Sequence, residues 1–167
     1  MLKWVMSLAR IDFAPSHRQP SWVRVLIASA ASIAGSLIAD AAIVALGVAI
    51  WPATKGYVHF AFADYAKLTV VGVVIACAAW PVVTRVCAAP RWLFLRLAVL
   101  VTLVLLLPDV YILALGQPGT AVTVLMVMHL AIGAVTYAAL VGIAPVRAAA
   151  RGGEVEAGRG IEVAARP

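Results

Sequence analysis

Residues 92–115 read WLFLRLAVLVTLVLLLPDVYILAL. Arg96 and Asp109 are the only charged residues in this run of 24, which is otherwise mostly Leu and Val. A strand is rarely this long, whereas a helix rising about 1.5 Å per residue covers the roughly 30 Å of a bilayer's hydrocarbon core in about 20 residues. Backbone polar groups in hydrocarbon must bond within their own segment, so such a run folds as an α-helix. Reading outward from it, comparable runs occupy about 25–50, 66–86 and 120–144, separated by short polar or proline-containing breaks. The expectation is an all-α integral membrane four-helix bundle with up-down topology.

Composition agrees. The chain has 167 residues, is 65% hydrophobic and 12% charged, and has a mean hydropathy of +1.05, far outside the range of soluble domains. Three stretches are expected: an amphipathic interfacial leader over 1–20, a four-span domain over 21–146 and a disordered cytoplasmic tail over 147–167. The leader does not read as a cleavable signal, because Arg10 and Asp12 interrupt its short apolar part. In the loop after the first span, Tyr57, Phe60, Phe62 and Tyr65 alternate with Lys55, His59, Asp64 and Lys67, as in an aromatic belt resting on the membrane surface. Pro81 and Pro108 are expected to kink the second and third spans.

The basic residues set the orientation. Eleven of the 13 Lys and Arg fall in the leader, in the turn between spans two and three, and in the tail; Lys55 and Lys67 alone lie on the other side. The positive-inside rule places both termini in the cytoplasm of a bacterial cell, the chain being multi-pass in the plasma membrane. A sequence with no Asn and only three Lys suggests a GC-rich genome. Cys77 and Cys87 read as buried structural thiols.

Three residues inside the spans stand out, because a charge at the bilayer centre costs about 2.5–3.5 kcal/mol on insertion scales. They are Asp40, Asp109 and His129. Asp40 is about 15 Å deep from the outer end of the first span and His129 about 14 Å deep in the fourth. First and last helices adjoin in an up-down bundle. A hydrogen bond or ion pair between Asp40 and His129 is therefore expected, with Asp109 beside Pro108 nearer the surface and reached by water. Ala28, Ser32, Ser36 and Asp40 form a stripe of small and polar groups at four-residue spacing, which lets a helix approach closely. Met126, His129, Gly133, Thr136 and Leu140 form a second stripe. Ser36, Tyr111, Trp80 and Gly133 are candidates to line a site.

The runs LTVVGVVIACAAW (68–80), RLAVLVTLVLLLP (96–108) and LMVMHLAIGAV (125–135) resemble a family of small four-span actinobacterial membrane proteins of unknown function. The resemblance extends from Trp22 to Ala144. It implies the four-span fold, an actinobacterial origin and a His in the last helix, and it brings no activity.

No P-loop, HExxH, GxSxG, CxxC or glycine-rich dinucleotide fingerprint occurs. No catalytic residue, cofactor or metal is expected, since a lone intramembrane His cannot supply both axial ligands of a bis-His haem. Expected partners are the lipid bilayer and either further copies of the chain or a larger membrane complex, not nucleic acid. The preferred reading is a non-enzymatic accessory or interaction subunit in which Asp40 and His129 fix helix register. The alternative is a small-molecule, lipid or proton-handling protein with a mid-membrane Asp/His site.

Overall fold

A computed structural model describes residues 17–148. It contains four long helices: α1 (Trp22–Ile50), α2 (Phe62–Val86), α3 (Pro90–Ala114) and α4 (Gly119–Ile143). All four are long and apolar enough to cross a membrane. Most of the leader and tail expected at the two ends lies outside the described residues.

Local chemistry accounts for the helix limits. The Ser21 hydroxyl accepts from Arg24 N at 3.4 Å and caps α1. Pro90 occupies the first turn of α3, where a missing N–H costs nothing. The same helix ends in a Schellman motif: Gly116 adopts φ +88°, its N–H bonds Leu113 O and the Gln117 N–H bonds Ile112 O. Glycine is needed at 116 because side chains with a Cβ resist that conformation. The chain stays helical through Pro81 and Pro108. The Pro81 carbonyl accepts from the Thr84 hydroxyl at 2.9 Å and from Arg85 Nη1 at 2.9 Å.

α2 begins four residues before its expected start. Asp64 suits the positive end of a helix dipole and is held there by Lys67 Nζ at 2.8 Å and His59 Nδ1 at 2.9 Å. The aromatic loop departs from expectation as well. Phe60 and Tyr65 are buried with Ala121, Val124 and Met128, and Tyr57 packs against the same cluster, while Phe62 is exposed. Two short 3-10 turns, Pro52–Thr54 and Val58–Phe60, fold this loop inward.

α4 contacts each of the other three helices, and its contact with α1 is the most extensive in the bundle. Glycine sets that closeness: a methyl group at Gly47 would lie 2.6 Å from Val124 Cγ2, and one at Gly35 would lie 3.0 Å from Val135 Cγ1. Across α3 and α4, a methyl at Gly133 would lie 2.6 Å from Thr102 Oγ1. The expected stripe of Ala28, Ser32, Ser36 and Asp40 is fully buried.

A two-residue strand β1 (His17–Arg18) pairs antiparallel with β2 (Arg147–Ala148), joining the segments before α1 and after α4. His17 Nε2 lies 2.7 Å from Thr84 O and Gln19 Nε2 donates to it at 2.9 Å, so the leading segment also caps the end of α2. The starts of α1 and α3 and the ends of α2 and α4 thus share one end of the bundle, here the terminal end; the opposite end carries the 51–61 loop. A core at the terminal end packs Val25, Ala28, Val73, Cys77, Trp80, Phe94, Leu140 and Val141. Trp80 Nε1 donates to Ala144 O at 3.0 Å within it.

Candidate functional site

Each helix contributes one polar side chain to the bundle interior on the loop side of its midpoint. α1 brings Asp40, α2 Thr69, α3 Asp109 and α4 His129. Measured along each helix from its loop end at about 1.5 Å per residue, they lie at roughly 15, 10, 8 and 15 Å.

The pairing differs from the expected one. His129 Nδ1 lies 2.8 Å from Asp109 Oδ2, and Asp40 takes a different partner: the Thr69 hydroxyl donates to its Oδ2 at 2.7 Å. Asp40 remains within electrostatic reach of His129 without a hydrogen bond to it. Matching depths identified groups at one level of the bundle, but depth says nothing about which way around the helix axis each side chain points. Nor is Asp109 solvated beside Pro108, since only 4% of it is exposed.

The Asp109–His129 contact fixes chemistry as well as position. With Asp109 ionised, Nδ1–H donates to the carboxylate, so the basic lone pair of the neutral ring sits on Nε2. Nε2 has no hydrogen-bond partner among the described residues, and 27% of the His129 side chain is exposed. Nε2 is therefore the atom at which the neutral ring can accept a proton.

Asp40 is fully buried, and its second oxygen, Oδ1, lacks a partner among the described residues. A carboxylate oxygen buried without a partner costs several kcal/mol if charged. Below it, towards the terminal end, Ser36 Oγ and Thr136 Oγ1 approach to 3.5 Å, at the limit of a hydrogen bond. Ser32 donates to Ala28 O within its own helix at 2.8 Å.

Of the other candidates, Ser36 lies one turn from Asp40, and Gly133 provides the α3–α4 approach one turn beyond His129. Tyr111 and Trp80 stand apart. Tyr111 is 64% exposed on the outside of the bundle, and Trp80 is buried in the terminal-end core against Phe94. Thr69 and Tyr57 are the residues that sequence reasoning missed. Thr69 lies about 5 Å nearer the loop end than Asp40, so depth along the helices did not single it out. The Tyr57 hydroxyl is buried without a partner among the described residues, and burial first, then the Asp109 charge, hold its phenol above the ordinary range. No three His, Cys, Asp or Glu side chains gather into a metal-holding group among the described residues.

Over residues 13–145 the chain matches the family described as Family of unknown function (DUF6069). The chain belongs to DUF6069. The match takes in all four helices and every polar residue of the candidate site. The curated proteins and the solved structures hold no match to the chain. Membership in DUF6069 and four apolar helices together describe a multi-pass membrane protein without assigning it an activity.

Proposed function

We propose that this DUF6069 protein is a proton-handling protein of a bacterial plasma membrane, with the terminal end of the bundle in the cytoplasm and the Asp109–His129 pair as its proton site. The orientation rests on the eleven basic residues that fall at the terminal end and beyond it. The observation that carries the proton reading is the bond between Asp109 Oδ2 and His129 Nδ1, which leaves Nε2 open within the membrane-crossing region. Histidine is the side chain whose charge changes most readily near neutral pH. Asp40, held by Thr69 and within electrostatic reach of His129, gives the same centre a second acid group. Binding is simple: one proton adds to Nε2 or to a carboxylate and the same proton leaves, with nothing oxidised or reduced.

A proton count tests this reading. Purified chain in lipid nanodiscs, taken from mildly alkaline to mildly acidic buffer, should bind about one proton more than the His129→Gln chain, because one titrating imidazole has been removed. Equal uptake by the two chains, both folded by circular dichroism, would overturn it.

One observation favours the accessory-subunit reading. α3 buries only Pro90, Phe94 and Asp109, leaving a long Leu- and Val-rich face outside the bundle. Lipid covers such a face without any partner, so it weighs less than the buried pair. Native mass spectrometry from mild detergent separates the two, since an accessory subunit retains a partner or a second copy.

A further inference from the structure

The interior around the Asp109–His129 pair is asymmetric along the bundle axis. Among the described residues, the ionisable groups shown near the pair, apart from Asp40, lie at the loop end. His59 and Tyr57 both lie within electrostatic reach of Asp109. His59 bonds Asp64, and Asp64 bonds Lys67. His59 and Lys67 are largely exposed, with 45% and 66% of their side chains accessible, so this string begins at the surface. The Tyr57 ring stands edge-on to His59, with centroids 5.3 Å apart, and its hydroxyl is buried without a partner among the described residues.

Towards the terminal end the composition changes. Past Asp40 the buried polar groups are hydroxyls: Ser36, Thr136, Ser32 and Thr84. Ser32 and Thr84 are already committed to backbone carbonyls. Trp80, Leu140, Val73 and Ala28 are buried in this half with 1% exposure or less. Along α3 this barrier extends about 28 Å from Asp109 to Pro90, against about 8 Å from Asp109 to the loop end.

We propose that the Asp109–His129 centre exchanges protons with the loop side of the membrane only, by way of His59 and the Tyr57 hydroxyl, while the terminal-end core closes the other route. The charged and titratable groups facing this path are Tyr57 and His59 from the loop, Asp64, Tyr65 and Lys67 from α2, Asp40 from α1, Asp109 from α3 and His129 from α4. The unpartnered Tyr57 hydroxyl is the decisive feature, because it can both accept and donate a hydrogen bond. A site open to one side reports the pH of that side and cannot carry protons across. This inference rests on the proton-handling reading above and specifies its sidedness.

The test uses the full chain, ¹⁵N-labelled at histidine and inserted in one orientation into phosphatidylcholine–phosphatidylglycerol vesicles, with internal and external pH set separately. Solid-state NMR then follows the His129 ring nitrogens. The ring is expected to change protonation when the loop-side pH is stepped and to ignore the terminal side. In the Tyr57→Phe/His59→Gln chain the response should slow by roughly a hundredfold, the low end of what positioned proton-transfer groups contribute. A ring that follows the terminal-side pH overturns the one-sided route while leaving the proton reading intact. A ring that follows neither side overturns both. The unmodified chain alone decides sidedness, so the outcome does not depend on the variant folding.

Discussion

Asp109 and His129, twenty residues apart in sequence, meet through Oδ2 and Nδ1 at 2.8 Å and tie α3 to α4 inside the membrane-crossing region. Their chain positions follow from the α3–α4 hairpin. The close approach of Thr102 to Gly133 sets a register in which Met126 is level with Asp109. His129 stands one turn further on, within reach of a carboxylate that leans towards it. The bond thus positions the ring and chooses its tautomer together.

This coupling is measurable. In a double-mutant cycle of Asp109→Asn and His129→Gln, followed by reversible unfolding in mixed micelles, the interaction should amount to about 1 kcal/mol, within the range of membrane-embedded hydrogen bonds. Additive single effects would show that the two side chains do not act on each other.

The Asp40–Thr69 bond is expected to behave differently, because one oxygen of Asp40 is already without a partner. Thr69→Val removes the other oxygen's donor and should destabilise the protein by about 1–3 kcal/mol, the cost of an unsatisfied buried group. Adding Asp40→Leu to that chain should recover much of the loss, since an apolar pair replaces a stranded polar one. Unfolding midpoints of the three chains check this.

Glycine at 47 is required by packing rather than by backbone conformation. Gly47→Ala drives a methyl group against Val124 and should cost about 1–3 kcal/mol, with Val124→Ala in the same chain relieving most of it. Gly72→Ala meets nothing within 4 Å and should be neutral or stabilising by up to about 1 kcal/mol. Thermal midpoints in one detergent give both signs.

Tyr57 predicts a pH dependence at the alkaline end. Its folded-state pKa is raised, so the folded protein holds that proton more tightly than the unfolded chain does. The associated stability is fully present below the unfolded value of about 10 and is lost as pH rises through the folded value. Wild type should therefore lose stability more steeply than Tyr57→Phe in strongly alkaline buffer. Parallel slopes for the two chains would remove Tyr57 from the buried network.

The spans were legible because apolar runs of bilayer length leave few alternatives, and Pro90, Gly116 and Pro118 punctuate them where the helices turn. The inward stripe ending at Asp40 was legible for the same reason, since four-residue spacing keeps small side chains on one helix face. Helix pairing across the bundle was not. Asp40 finds Thr69 because α2 adjoins α1 on the side Asp40 faces, a rotation that depth along the axis does not encode. The folding of Tyr57, Phe60 and Tyr65 into the bundle was hidden too: an aromatic-rich loop has the same composition whether it covers lipid headgroups or fills a gap between helices. His129 was legible as an ionisable residue inside an apolar run, while its partner could be seen only in three dimensions.

Solid-state NMR of His129 in bilayers, comparing wild type with Asp109→Asn and Asp40→Asn, bears most directly on the central relationship. The account predicts that Asp109→Asn shifts the Nδ1 resonance, while Asp40→Asn leaves it in place. An Nδ1 signal that moves with Asp40→Asn and ignores Asp109→Asn would contradict it.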